Sequence, residues 1–237
     1  MSKRSGCKFL AAVAALGLSV LGASNAFAGF TSIGAPNFGR GGEASQAEIL
    51  SNTYGGSFTA NGLDFTNGSI TATRIDDSKD QTFKGDITSS RALARFALYG
   101  QGFAYGDVSS PTQLFTVGGN NFTVTGSTGA VDLPASYSFV RTGQGGNKSS
   151  SNAANSDGQD HLVTYLLTGS GVTGPTYVLF WEDLNKNKSD FDFNDLAVEV
   201  KATSPIIVPL PAAAWSGLVT LAGGALVAGY RKRRAMA

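Results

Sequence analysis

Between residues 57 and 201 the apolar side chains recur in short alternating runs, not in a sustained helical period. The runs are Ser57 to Phe65, Ser69 to Ile75, Leu114 to Val117, Asn121 to Thr125, Ser136 to Arg141, His161 to Thr168, Pro175 to Glu182 and Asp195 to Lys201. Turn-forming clusters separate them, among them Asn61-Gly62, Asn67-Gly68 and Gly118-Gly119-Asn120. A period of two suits a strand with one buried face, and regular punctuation of this kind predicts an all-β fold, a β-sandwich or jelly roll. Only Ala44 to Leu50 and Arg91 to Tyr99 permit a short helical face. The aromatics and glycines of Arg91 to Gly106 tip that second segment to strand. Gly143 to Gly158, GQGGNKSSSNAANSDG, has no apolar anchor and reads as an exposed, mobile loop.

The two ends follow different rules. Lys3, Arg4 and Lys8 surround the start of an apolar run that closes on Ala26-Phe27-Ala28, which is the pattern of a secretory signal peptide with cleavage after Ala28. The run from Phe9 to Leu21 covers about 13 residues, short of the roughly 20 that cross a bilayer. Ala202 to Tyr230 carries no charge and is followed by Arg231-Lys232-Arg233-Arg234. Ala212 to Gly229 is long enough for a transmembrane helix, with the basic cluster cytoplasmic and the body of the protein on the other side. Val208-Pro209-Leu210-Pro211-Ala212 stands just before it, and its prolines force an extended backbone that a processing enzyme can read.

Residues 29–204 then form one β-rich extracellular domain. Seven of the 18 basic residues lie in the two ends, leaving 11 against 17 acids, a net charge of −6. An acidic domain lacks the basic footprint that nucleic acid binding needs. Cys7, the one cysteine of the chain, falls in the signal peptide, so neither a disulfide nor a thiol nucleophile is expected in the mature domain.

Trp181 to Asp195, WEDLNKNKSDFDFND, gathers the acidic side chains. Before it, Tyr177, Leu179 and Trp181 share one face and Val178 and Phe180 the other, which predicts a central strand buried on both sides. After it, Leu196, Val198 and Val200 alternate with Ala197, Glu199 and Lys201, a half-exposed strand that completes a hairpin. Asp183, Asn185, Asn187, Asp190, Asp192, Asn194 and Asp195 offer oxygen atoms only. Hard oxygen donors on a flexible loop suit calcium better than magnesium, which demands a rigid octahedron. Asp183, Asn185 and Asn187 fit the first EF-hand positions, but Lys188 and Asn194 stand where that loop needs glycine and glutamate, so a different calcium loop is expected. The competing reading is a series of turns in which Asp and Asn bond their own backbone. His161, the single histidine, is expected to orient a loop carboxylate or to begin a strand; zinc would require more nitrogen or sulfur ligands.

Two resemblances extend this reading. VPLPAAAW, the small-residue helix and the terminal RKRR resemble the PEP-CTERM sorting signal in its VPLPA form, with Leu210 between the prolines. That resemblance implies processing by an exosortase, a membrane transpeptidase of Gram-negative bacteria with an exopolysaccharide matrix. WEDLNKNKSDFDFNDLAVEV is similar to the C-terminal signature of DUF4114-type domains, on Trp181, Glu182, Asp183, Ser189 to Asp195 and Leu196 to Val200. Asp157 to Thr164 is similar to the strand that precedes it. The resemblance implies a β-rich extracellular module with suspected calcium binding and no established enzymatic role.

Catalysis finds little support in the residues. Glu182 or Glu199 with a loop aspartate could form a glycosidase pair, but nothing fixes their separation, and no nucleophile elbow accompanies His161. A carbohydrate-binding module is the stronger rival, with Tyr99, Phe103 and Tyr105 as its aromatic cluster. The expectation is therefore a non-enzymatic, calcium-stabilised β-domain, exported through an inner-membrane intermediate and delivered to the cell surface or matrix.

Overall fold

The computed structural model describes residues 42–75, 82–185 and 187–204. The expected signal peptide (1–28, with Ala26 and Ala28) and the expected sorting signal (205–237, with Val208 to Ala212) lie outside the described residues. Among those described, no helix is long and apolar enough to cross a membrane.

Among the described residues one helix, α1 (Gln46–Tyr54), precedes thirteen strands. They are β1 (Thr59–Asn61), β2 (Asp64–Thr66), β3 (Ile70–Arg74), β4 (Ile87–Ala94), β5 (Gln101–Tyr105), β6 (Thr112–Asn120), β7 (Thr123–Thr125), β8 (Ser127–Thr128), β9 (Phe139–Gly143), β10 (Lys148–Ser149), β11 (Leu162–Gly169), β12 (Thr176–Trp181) and β13 (Leu196–Ala202). They form an eight-stranded sheet ordered β1-β2-β3-β11-β12-β13-β4-β8 and a five-stranded sheet ordered β10-β9-β5-β6-β7. All pairings are antiparallel, and the chain is all-β as its periodicity predicts.

The large sheet is covered on both faces at its centre. On one side Tyr177, Leu179, Trp181, Leu196, Val198 and Val200 share a core with Phe103, Phe115 and Phe139 of the small sheet. On the other, Val178, Phe180, Ala197, Val163 and Tyr165 pack with Ile49 and Leu50 of α1 and with Phe65 and Ala72. β12 is thus buried at every residue, as its two apolar faces predict. β13 is not the half-exposed strand expected from its alternation: only Lys201 is partly open. Glu199 is buried because Arg91 Nε (2.8 Å) and the Tyr54 hydroxyl (2.7 Å) both donate to its carboxylate, which satisfies the charge without water. Arg91 to Gly106 is extended but divided between β4 and β5, with a connection at residues 95–100.

α1 opens on a capping box: Glu48 N donates to Ser45 Oγ (3.3 Å), and Ser45 N donates to Glu48 Oε2 (2.7 Å). This fixes the point at which the helix starts, and with it the position of Glu43 and Ala44 just upstream. At the other tight turn, Gly118-Gly119-Asn120 continues β6 and the hairpin reverses one residue later, at Asn121 (φ 52°). Gly119 has φ 77°, and a Cβ there would lie 2.0 Å from the Thr123 carbonyl oxygen, so only glycine lets the strands approach.

Gly143 to Gly158 departs most from expectation. Lys148, Ser149, Ser150, Asn152 and Asn155 are all buried, and the segment contains β10 and a 3₁₀ turn at Asn152–Ala154. Its anchors are amides, which a search for apolar periodicity does not register. Asn155 Oδ1 accepts from Ser149 N (2.7 Å), while its Nδ2 donates to the carbonyls of Ser149 and Gln159 (2.9 Å each). Replacing Asn155 with alanine should cost about 2–3 kcal/mol, because buried backbone groups lose their partners. Urea denaturation measures this, and a cost below about 0.5 kcal/mol, the scale of an ordinary surface substitution, would show that the segment is held otherwise.

Candidate metal centre

The acidic loop joins β12 to β13 at one end of the stacked sheets. Its mouth is closed by Asp183 N, which donates to Asp195 Oδ2 at 2.7 Å. Glu182 turns inward and is 1% exposed. Its Oε1 accepts from Leu184 N (3.2 Å), and its Oε2 has no hydrogen-bond partner among the described residues. Asp183 Oδ2 takes Arg141 Nη2 and Gln101 Nε2, both at 3.1 Å. Arg141 is itself fully buried and donates to the carbonyls of Gly146 (2.8 Å) and Gln144 (3.3 Å). The glycine turn that supplies those carbonyls lies against the loop: a Cβ on Gly145 (φ 96°) would sit 3.1 Å from the Asp183 carbonyl oxygen.

Further along, the backbone is strained. Phe191 (φ 59°) and Phe193 (φ 54°) both adopt the left-handed conformation, which costs a residue with a Cβ roughly 1–2 kcal/mol. Two aromatics so placed around Asp192 are held there by their surroundings. Phe193 is buried in the core beside α1. Asn194 Nδ2 donates to Asp192 Oδ2 (2.8 Å) and to the Ala44 carbonyl (2.9 Å), tying the loop to the lead-in of the helix. Asn194 Oδ1 is buried without a partner among the described residues. Phe191 is 37% exposed, so Phe191→Asn should relieve its strain at little cost in burial and stabilise the fold by about 1 kcal/mol. Chemical denaturation tests this; a loss of that size instead would show that contacts of the ring outweigh the strain.

Two groups of carboxylates result: Glu43, Asp190 and Asp192, and Glu182, Asp183 and Asp195. Each residue places an oxygen within 4.8 Å of the others in its group. Glu43, Asp183, Asp190 and Asp195 line one cavity of about 140 Å³. Burial pushes Glu182 up to about 7 and Asp195 up to about 9, and the mutual repulsion of Glu182, Asp183 and Asp195 adds to the second shift. Glu43 is raised as well, by burial first and then by Asp190. Such a cluster needs counter-charge, and among the described residues Arg141 supplies it directly to Asp183, with the buried Lys148 close by. The donors on the side of Glu43, Asp190 and Asp192 are all oxygen, the chemistry of a hard divalent ion, and the unpartnered oxygens of Glu182 and Asn194 leave acceptor capacity unused beside them.

The sequence-derived ligand set is divided by this geometry. Asp183, Asp190, Asp192 and Asp195 enter the two groups and Asn194 lies between the loop and Ala44. Asn185 does not join them, because its side-chain oxygen accepts from Lys148 Nζ. Asn187 is exposed in the turn at residues 187–188. Glu43 was missed, being about 150 positions from the loop, and no local pattern announces it. Glu182 was read only as a candidate acid for catalysis. The alternative acid in that reading, Glu199, is held by Arg91 and Tyr54. His161 does not reach an acidic-loop carboxylate. Its Nδ1 lies 3.1 Å from the Glu182 carbonyl oxygen and its Nε2 3.1 Å from Asp157 Oδ1, and burial pushes its pKa down.

The aromatic cluster needs correction too. Phe103 is fully buried, stacked on Phe139 with ring centroids 4.9 Å apart, and Tyr105, two residues on, leans into the same core. Only Tyr99 is well exposed, at 48%. It borders the acidic cavity together with Leu98 and Leu184, which are also exposed.

No curated protein and no solved structure matches the chain. Residues 134–203, which run from before β9 to the end of β13 and contain the whole acidic loop, match the family model described as a domain of unknown function (DUF4114).

Proposed function

We propose that the chain is a non-enzymatic, exported module whose acidic loop holds calcium, and that the ion fixes one end of the sandwich in its functional shape. The observation that carries this reading is the pair of buried and half-buried carboxylate groups beside one cavity, six carboxylates gathered from the loop and from Glu43. In the ion-bound protein Glu43, Asp190 and Asp192 would supply the first oxygens, with Asp183 and Asp195 on the facing wall. Calcium would supply the charge that allows them all to ionise. The signal-peptide pattern and the PEP-CTERM-like tail support export, processing by an exosortase, and a final place at the cell surface or in the extracellular matrix.

Calorimetric titration tests the site. Calcium should bind saturably and magnesium more weakly, and Glu43→Gln should weaken calcium at least about tenfold, a loss of 1.4 kcal/mol or more. An absence of saturable calcium binding would sink the reading, and full affinity in the Glu43 variant would move the site elsewhere on the loop.

One observation favours a second role, contact with exopolysaccharide. Leu98, Tyr99, Leu184 and Phe191 are among the few exposed large apolar residues, and three of them border the acidic cavity. A ring face beside a bound cation is a common way to seat a sugar. Tyr99→Ala should therefore reduce calcium-dependent co-sedimentation with acidic polysaccharide, whereas equal sedimentation would remove Tyr99 from any glycan contact.

A further inference from the structure

We propose that Lys148 and Asn185 become joined by a side-chain amide bond, which staples the acidic loop to β10. The two side chains are in direct contact, with Lys148 Nζ against Asn185 Oδ1. Lys148 is only 2% exposed, an uncommon position for a lysine, and its strand register places it opposite the equally buried Arg141. Both cations point at the head of the acidic loop: Arg141 reaches Asp183 and Lys148 reaches the residue two positions later. Asn185 is exposed, and its backbone is held in turn, since its carbonyl accepts from Lys188 N (2.8 Å) and Ser189 N (3.1 Å).

The chemistry is a transamidation and balances without an added reagent. The lone pair of Nζ attacks the carboxamide carbon Cγ, the Nζ–Cγ bond forms, and the Cγ–Nδ2 bond breaks. Nδ2 leaves as ammonia, carrying one of the protons that Nζ gives up. In water a lysine is protonated and an amide is inert, so the free groups do not react. Here burial, helped by the Arg141 charge, holds the Lys148 amine below its ordinary pKa, which enlarges the nucleophilic fraction. Fixed contact does the rest: effective molarities of well-oriented groups reach about 10⁵–10⁸ M, and the reaction has to happen only once per molecule. The chain has a single cysteine and so cannot close an internal disulfide. A bond between residues 37 positions apart would restrict the unfolded chain in the same way. The inference stands apart from calcium, because neither Lys148 nor Asn185 belongs to the carboxylate groups.

Peptide mapping decides it. The full chain is purified folded, denatured, digested with trypsin and analysed by mass spectrometry. The expected product is a branched peptide that joins the Lys148 and Asn185 segments at about 17 Da less than their sum, the mass of the lost ammonia. Trypsin should fail to cut after Lys148 in the wild type and should cut there in Asn185→Ala. Recovery of Lys148 and Asn185 from the folded wild type in separate, unmodified linear peptides would overturn the proposal. Because that result comes from the wild type, it does not depend on whether the variant folds.

Discussion

In the presence of a chelator the domain should lose about 2 kcal/mol of stability between pH 6.5 and 8.5, and calcium should abolish most of that loss. In the unfolded chain Glu182 and Asp195 ionise near their ordinary values, whereas in the folded protein burial and mutual repulsion hold them to about 7 and about 9. Across the interval the native state therefore binds more protons than the unfolded one, and stability falls as pH rises. One excess proton over two pH units corresponds to roughly 2.7 kcal/mol. Below this window His161 opposes the trend, since a histidine kept neutral by burial loses stability as pH falls. Glu199, lowered by Arg91 and Tyr54 against its burial, contributes stability above its ordinary value that disappears in acid. A calcium ion replaces the proton as counter-charge, so the stabilisation by calcium should grow with pH. Denaturant unfolding at three pH values, with and without calcium, measures both slopes. A flat profile in chelator would mean that the loop carboxylates are balanced without an ion.

Replacement of Arg141 by methionine should be the most damaging single charge removal, at about 3–5 kcal/mol. The guanidinium is fully buried, and its loss leaves Gln101 as the side-chain donor to Asp183 among the described residues and strands the carbonyls of Gln144 and Gly146. The Gly143 to Gly158 segment would lose one of its links to the loop, leaving the contact of Lys148 with Asn185. The cost should be larger in chelator than in calcium, because the ion can take over part of the charge that Arg141 supplied. Urea midpoints under the two conditions give the comparison. A cost under about 1 kcal/mol in chelator, the scale of an exposed ion pair, would mean that solvent reaches Asp183 more freely than its burial implies.

The hairpin that carries the loop was legible because β12 is apolar at both parities. An alternation of two can report one buried face, and a run without alternation reports two. β13 shows where this fails: Glu199 and Lys201 sit at alternate positions as in a solvated strand, yet an arginine and a tyrosine from distant segments make Glu199 a core residue. The same limit applies to Phe103 and Tyr105. Two residues apart on β5, they share one face, and which face meets the second sheet is decided by packing: theirs points inward. In the loop, four of the seven proposed ligands entered the carboxylate groups because oxygen donors crowded in sequence stay crowded in space. Asn185 left the set for Lys148, and Glu43 joined it from the start of α1. Both changes are tertiary: Lys148 comes from a polar segment held by its amides, and Glu43 from the lead-in of α1 that Asn194 ties to the loop.

Thermal unfolding of residues 29–204 in excess calcium and in chelator, alongside the variant Asp190→Asn plus Asp192→Asn, addresses the metal centre most directly. At calcium about 100 times its dissociation constant, binding should add roughly 2.7 kcal/mol, seen as a rise in melting temperature that the double variant lacks. Equal melting of the wild type under both conditions would contradict the account, and the carboxylates of the loop would then have to be balanced by a partner or by protons.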